Sequence, residues 1–348
     1  GTPDAPKWPA MMQEDAPELV SEERLQRAAG PVSSEKDGTH LGLYREHCVV
    51  CHGLPGNGAG PASVFQNPYP RDFRAGVFKW KSTERASKPT REDLRQVLVH
   101  GVPGTAMPSF ALIGKDDVEA LLDYVVYLSV RGEVERDLLA AAVELEYDDE
   151  QPKSSWQLTL DTATEGGQVV KSVMTQVAVQ WRESKSALVP AWTDFNGQEL
   201  ADSIDRGKDI FHGQVANCVG CHGPAGNGNA ITLDYDDWTK EFSTRIGLTP
   251  TNREAMKPFR EVGAPRPRQI NPRNLQHGVF RGGGDPSTLF QRVSQGIAGT
   301  PMPAVEVVAE ENGKGLTSQQ VWDLIRYVNS LGPDEQASNE PTSETETE

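Results

Sequence analysis

The chain repeats itself, and any fold for its 348 residues has to place the same set of motifs twice. Cys48-Val-Val-Cys51-His52-Gly-Leu-Pro-Gly-Asn-Gly is answered by Cys218-Val-Gly-Cys221-His222-Gly-Pro-Ala-Gly-Asn-Gly. Downstream, Pro70-Arg-Asp-Phe-Arg-Ala-Gly-Val-Phe78 is answered by Pro272-Arg-Asn-Leu-Gln-His-Gly-Val-Phe280, and Gly104-Thr-Ala-Met-Pro108 by Gly299-Thr-Pro-Met-Pro303. Each block closes on an amphipathic segment. Val118, Leu121, Leu122, Val125 and Leu128 in the first, and Val321, Leu324, Ile325, Val328 and Leu331 in the second, fall at spacings of three and four, the period of a helix with one buried face. Gly132 and Gly332 follow as expected helix stops. Repetition in this order predicts two copies of one domain in tandem, each opening on a short helix just ahead of its Cys pair.

The predicted organisation is an N-terminal extension over 1–39, a first domain over 40–131, an acidic, partly helical linker over 132–198, a second domain over 199–332 and an acidic tail over 333–348. The copies differ in length: His52 to Gly76 spans 24 residues and His222 to Gly278 spans 56, which places an insertion near 229–269. Asp234, Asp236 and Asp237 in that insertion lack the loop glycine and closing bidentate Glu of a calcium loop, and read as a solvated loop. In the linker, Val169, Val170, Val173, Met174, Val177 and Trp181 line one face of a predicted helix over Glu165–Ser184. That stripe must be buried, against one of the domains or against a partner. The tail, PDEQASNEPTSETETE, has no large apolar residue to offset the entropy of ordering it, and reads as a disordered solubilising end or a docking arm for a basic partner.

All four cysteines of the chain lie in the two Cys-x-x-Cys-His runs. That arrangement reads as attachment of c-type haem: Cys48 with Cys51, and Cys218 with Cys221, add across the vinyl groups, and His52 or His222 places an imidazole under the iron. A shared zinc site would need ligand pairs far closer than the 170 residues between equivalent cysteines. A redox dithiol would leave the following His accidental twice, and structural disulfides would leave the histidines and the shared Gly-Asn-Gly unexplained. What fills the sixth iron position separates an electron carrier from a catalyst. His47, His100, His212 and His277 do not recur, since His100 aligns with Gln295 and His277 with Ala75. Met107 and Met302 do recur, each in Gly-Thr-x-Met-Pro, and are the candidate sixth ligands. Met11, Met12 and Met174 lie outside the blocks, and Met256 sits in the insertion without a counterpart.

These residues resemble the class I cytochrome c domain, here two in tandem as a di-haem cytochrome c, over 40–131 and 199–332. The resemblance implies a mainly α fold: two cytochrome c-like helical domains, each around one covalently bound haem, joined by a long, partly helical linker. It implies that the helix before the Cys pair crosses the closing helix near a glycine and an aromatic residue, matched by Gly42 with Tyr44 and by Gly207 with Phe211, facing Tyr124 or Tyr127 and Tyr327. It implies a backbone carbonyl as acceptor for the proximal imidazole; Pro61 matches in the first copy, while the second has Ala230. Arg71, Arg74 and Arg273 are candidates for the haem propionates or for solvated surface positions. The cofactors implied are two covalently attached haem c groups, and the setting implied is periplasmic or extracytoplasmic, with membrane association through a partner or a removed N-terminal anchor.

The net charge of -16 bears on partners. Its excess lies in 1–39, 132–198 and the tail, whereas 40–131 holds 11 basic against 9 acidic residues and 199–331 holds 14 against 15. No basic stripe is present, so nucleic acid is excluded as a partner. No apolar run approaches the ~18 residues of a membrane span, and Asp123 breaks the candidate over Ala120–Val130, so no transmembrane segment is expected and the chain reads as soluble. No export signal is expected in it either. The function expected is a relay of single electrons between a respiratory dehydrogenase or quinol-oxidising complex and a terminal acceptor, through redox protein partners. The alternatives are a fixed haem subunit of a membrane respiratory complex and a di-haem peroxidase or thiosulfate-oxidising enzyme.

Overall fold

The computed structural model describes residues 1–333 except 33, 37, 146–149, 151–156, 231–234, 237, 238, 241–243, 245 and 312. Asp234, Asp237 and the acidic tail from 334 onward lie outside the described residues. The chain is mainly helical and forms two compact units, one of Gly1–Ala187 with Thr251–Arg266, the other of Leu188–Pro250 with Pro267–Glu348. Strands among the described residues amount to an antiparallel pair, β1 (Ser34–Lys36) with β2 (Thr39–Leu41), and a short parallel pair, β3 (Val307–Val308) with β4 (Leu316–Thr317).

The first unit is organised by α6 (Lys115–Glu144), whose 30 residues bury Leu121, Leu122, Tyr124, Val126, Tyr127, Leu128 and Val130. Asp116 and Asp117 sit in its first turn, where carboxylates oppose the partial positive charge of the helix N-terminus. Before it come α1 (Ala10–Asp15), α2 (Glu22–Ala28), α3 (Leu43–His47), α4 (Val49–His52) and α5 (Arg91–His100); α7 (Glu165–Arg182) follows it. α5 opens on a reciprocal cap, Thr90 accepting from the Asp93 N–H while Asp93 accepts from the Thr90 N–H. α2 and α7 both pack on α6, and α1 packs on α7. The apolar stripe of α7 is buried within this unit through Val170, Met174, Val177, Ala178 and Trp181, so it is core and not an open docking face.

Three expectations change here. Residues 1–39, read as an extension, belong to the unit: Trp8, Met12, Ala16, Val20, Leu25, Ala28 and Ala29 are buried in its core. The linker is taken up by the two units, to Ala187 on one side and from Leu188 on the other. Gly132 does not stop α6, which continues twelve residues further. A Cβ at this position would overlap the backbone of Arg74, so Gly132 serves close approach of the Phe73–Ala75 turn to the helix.

The second unit has α8 (Gly197–His212), α9 (Val219–His222), α11 (Pro286–Gln295) and α12 (Ser318–Ser330), with α10 (Lys257–Glu261) in the segment that joins the first unit. α8 lies across α12, and a Cβ on Gly207 would overlap the Asp323 carbonyl oxygen, which is why a glycine stands at this crossing. The core is Phe211, Leu275, Leu289, Phe290, Leu316, Val321, Trp322, Leu324, Ile325 and Tyr327. Here the helix does stop close to its predicted glycine, ending at Ser330 ahead of Gly332. At the base of the insertion Tyr235 bridges Gln269, and the Asp236 N–H donates to the Arg268 carbonyl at 2.9 Å. Asp236 is buried, which corrects its reading as part of a solvated loop.

Candidate metal centres

In both units the Cys-x-x-Cys-His run folds as a single helical turn closed by the same bonds. The His52 N–H donates to the Cys48 carbonyl and the His222 N–H to the Cys218 carbonyl, each at 2.8 Å. A left-handed Gly-x-x-Gly-Asn-Gly loop follows, in which the Gly58 and Gly228 N–H groups return to the carbonyls of His52 and His222, again at 2.8 Å. The last glycine is required twice over. Its φ is +69° in one copy and +73° in the other, and a Cβ on Gly58 would lie 2.6 Å from the Pro70 carbonyl oxygen, with an equivalent overlap between Gly228 and Pro272.

That close approach delivers the next residue's carbonyl to the imidazole. His52 Nδ1 lies 2.9 Å from the Arg71 carbonyl oxygen, and His222 Nδ1 lies 3.0 Å from that of Arg273. The acceptor is therefore Arg71 and not Pro61, and the second copy has its equivalent in Arg273. The signal was present in the repeat, where Pro70-Arg71 and Pro272-Arg273 match, but a backbone acceptor has no residue-type preference to reveal it. A carbonyl acceptor makes Nδ1 the protonated nitrogen and leaves the lone pair on Nε2, the arrangement a metal-ligating imidazole uses. No hydrogen bond engages either Nε2 among the described residues. Burial pushes both imidazoles below their ordinary pKa, which favours the neutral form a metal requires.

The thiols are unpaired. Burial raises Cys48 to a pKa of about 12 and Cys218 to about 11, so both stay protonated in the bare chain. The Gln66 amide donates to Cys51 Sγ at 2.8 Å. Phe73 stacks on the His52 ring with centroids 4.5 Å apart, where the second copy has Leu275. Among the described residues no group of three or more His, Cys, Asp or Glu side chains converges as a metal cluster made of protein ligands alone.

The methionine loops are built alike. The Met107 N–H donates to Thr105 Oγ1 at 3.1 Å, Thr105 Oγ1 donates to the Val102 carbonyl at 2.8 Å, and the Val102 N–H returns to the Met107 carbonyl at 3.1 Å. Met302, Thr300 and Ile297 repeat this at 3.2, 2.9 and 3.3 Å. Met107 is half-buried against the first core. Three of the other candidate histidines are tied up locally, His100 Nδ1 to the Gln96 carbonyl, His212 to the Lys208 and Pro224 carbonyls and His277 to Asn274, while His47 lies edge-on to Phe110. Arg74 is paired with Asp72 at 2.9 Å and Arg273 Nε donates to the Val279 carbonyl.

Both halves of this geometry have relatives. The family described as "Cytochrome C oxidase, cbb3-type, subunit III" matches residues 39–125, and the family "Cytochrome c" matches residues 204–332. The chain carries two cytochrome c-type domains in tandem. Among solved structures, a chain of the Kuenenia stuttgartiensis reducing HAO-like protein complex is similar to it, with a TM-score of 0.52 and 22% sequence identity over 84% of this chain and 94% of that one. At that identity the likeness is one of fold. No curated protein matches the chain.

Cytochrome c domains imply haem c, and the residues fit the group. Each domain offers two thiols within one helical turn and a neutral imidazole aimed by a carbonyl, together with an oriented methionine loop. The first crossing differs from expectation. Gly42 is a left-handed turn residue against the Pro31 carbonyl, whereas Tyr44 does pack against Tyr124, the rings tilted by 35° with centroids 4.7 Å apart. Phe211 meets Tyr327 at 5.4 Å in the second domain.

Proposed function

We propose that the chain is a di-haem c-type cytochrome relaying single electrons between a respiratory dehydrogenase or quinol-oxidising complex and a terminal acceptor, on the periplasmic or extracytoplasmic side of a membrane. Cys48 and Cys51 hold one haem by thioethers and Cys218 and Cys221 the other. His52 and His222 would hold the iron through Nε2, with Met107 and Met302 as the second protein ligands. The observation that carries this reading is the duplication of the whole bonded frame, from the Arg71 and Arg273 carbonyls to the threonine-braced methionine loops. Two different catalytic and storage roles would not call for two equal ligand frames.

Haem c supplies a one-electron iron couple when bound. The chain's share is positional. The Arg71 and Arg273 carbonyls hold the imidazole tautomer, and the Thr105 and Thr300 hydroxyls fix the methionine turns. With a histidine and a methionine both engaged, the iron would have a high reduction potential and little room for small ligands. With no site left open, electrons enter and leave through transient, electrostatically guided partner contacts.

Electronic and EPR spectra of the oxidised protein test this. Two low-spin haems with the methionine-to-iron charge-transfer band are expected, and the reduced spectrum is expected to ignore carbon monoxide. Met302→Ala opens one haem only. A high-spin population in the unaltered protein, or peroxide turnover, overturns the carrier reading in favour of a di-haem peroxidase or thiosulfate-oxidising enzyme.

A second reading has its own support: the similar solved chain is part of a complex and is matched over nearly its whole length. In that reading the protein is a fixed haem subunit of a respiratory assembly. Isolation from native membranes at raised salt separates the two, because a transient carrier leaves the membrane fraction and a fixed subunit stays with its partners.

A further inference from the structure

In the first domain a row of packed rings joins the haem-ligand histidine to a buried acid. Phe73 stacks on the His52 ring, Phe78 stacks on Phe73 with centroids 6.1 Å apart, and the Trp181 indole meets Phe78 edge-on, again at 6.1 Å. The Trp181 N–H then donates to Glu133 at 2.8 Å. All three rings are buried, so side chains and not solvent fill this path. Glu133 keeps 10% of its side-chain surface and its ion-pair partner Lys88 keeps 11%, enough for a proton to arrive from solvent. The groups acting on the carboxylate are Lys88 from the segment ahead of α5, the Trp181 N–H from α7 and Asp137 one turn further along α6. From the Phe73–Ala75 turn it meets the Gly76 backbone, where a Cβ would overlap it, while Arg74 of that turn is bonded to Asp72. Burial outweighs the lysine and the indole and holds this acid above its ordinary pKa. The second domain is built otherwise. The repeat pairs Gly76 with Gly278 and Gly132 with Gly332, which sets Pro333 in the place of Glu133, and Pro333 is the side chain a Cβ on Gly278 would approach, at 3.1 Å. Leu275 stands there for Phe73.

We propose that Glu133 is a proton-binding site coupled to the first haem, so that reduction of the haem held by His52 is accompanied by protonation of Glu133 and its oxidation by release of that proton. The inference rests on the di-haem reading above and goes beyond it by linking a proton to one of the two electrons. Oxidised iron carries one more positive charge than reduced iron, and a charge acting across packed rings is screened far less than one acting through water. That charge disfavours a proton on Glu133. Reduction removes it: the iron takes its electron from the donor protein, and the carboxylate takes its proton from solvent. The potential of the first haem is therefore highest where Glu133 is protonated in both redox states, and it falls as pH rises through the range in which the acid titrates. With Pro333 in the matching place, the second haem has no such dependence from this position.

Spectroelectrochemical titration of the full di-haem protein at a series of pH values between about 5 and 8, with Glu133→Gln and Lys88→Met variants, tests this. In the unaltered protein one of the two waves is expected to move to lower potential as pH rises, with a several-fold fall in the reduced fraction of that haem at fixed potential. Glu133→Gln is expected to flatten that wave and leave the other as it was. Lys88→Met removes the cation that favours the carboxylate, and is expected to carry the same pH dependence to higher pH. Two flat waves in the unaltered protein, or a pH dependence that survives Glu133→Gln, overturns the proposal. If Glu133→Gln does not take up haem, Lys88→Met decides: a dependence that stays at the same pH belongs to another group and overturns it. Absence of the methionine-to-iron band in the unaltered protein signals failure of the ligand reading, whereas its presence together with flat waves signals failure of the proton coupling alone.

Discussion

The two domains solve one packing problem with different chain paths. In the second, one continuous helix, α8, supplies Ser203 and Arg206 to the buried Asp323, Gly207 to the crossing and Phe211 to Tyr327. In the first, these roles are divided. α2 brings Ser21 and Arg24 to Asp123 at 2.8 and 2.7 Å, the chain then leaves through the β1–β2 hairpin, and α3 returns with Tyr44 for Tyr124. Asp123 and Asp323 occupy the same place in the closing helices, directly after two buried apolar residues and four before Tyr127 and Tyr327, and both are almost fully buried. What is retained is the latch between a buried carboxylate and an arginine three residues after a serine, together with an aromatic ring against the closing helix. Continuity of the helix is dispensable.

The latches differ in what would be stranded, and the largest effect follows from that. Asp323 also faces Arg326, which is only 3% exposed and lies between the rings of Trp192 and Phe195. Asp323→Ala leaves that guanidinium buried with its ion-pair partner gone and is expected to cost about 3–5 kcal/mol. Asp123→Ala costs less, because Arg24 and Arg91 keep 39% and 31% of their side-chain surface and can be hydrated. Thermal unfolding of the two variants checks the order, and an equal or reversed order breaks the comparison.

The first domain has a further buried pair: Lys88 bonds Glu133 on α6, and Glu133 accepts from the Trp181 indole at 2.8 Å. Lys88→Met strands the carboxylate and is expected to cost about 3 kcal/mol. Burial raises the Glu133 pKa above its ordinary value. The folded state thus holds this proton more readily than the unfolded chain, so its contribution is full below the unfolded value and is lost as pH rises through the raised folded value. Urea unfolding between about pH 4 and pH 8 is expected to show that loss, and Glu133→Gln to remove it.

Smaller again is the exchange beneath the proximal histidines. Phe73→Leu gives the first domain the residue of the second, removes the ring stacked on His52 and is expected to cost about 1 kcal/mol. Its signature is a change in the EPR signal of one haem and not the other. Last come Arg24→Ala and Arg206→Ala. Both side chains are more than a third exposed, and each is expected to cost under about 1 kcal/mol in denaturant midpoint, less at high salt.

How much of this could be read beforehand varies by feature. The Cys-His turns, the methionine loops and both closing helices were legible because each is a matter of local spacing, repeated twice. The stripe of α7 was legible as buried, though not its location within the first unit. The short helix ahead of the Cys pair of domain 1 was legible and is α3, whereas the share of α2 was missed, because a hairpin separates the two and the Ser-x-x-Arg of Ser21 and Arg24 is too short to register without the aspartate it meets. Gly132 misled because glycine inside a helix costs only about 1 kcal/mol, which the burial of α6 exceeds.

Residue types and spacing were sufficient for the tandem architecture and for the two Cys-x-x-Cys-His turns, since each turn is made by side chains a few residues apart, and the repeat alone singled out Met107 and Met302 as candidates. The rest waited for the folded chain. The Arg71 and Arg273 carbonyls, the absorption of residues 1–39 into a core, the burial of Asp236 and the pairing of Lys88 with Glu133 all depend on segments far apart in sequence meeting through backbone atoms or buried charge. A backbone carbonyl looks the same in every residue, and the cost of a buried charge exists only once its surroundings have closed around it.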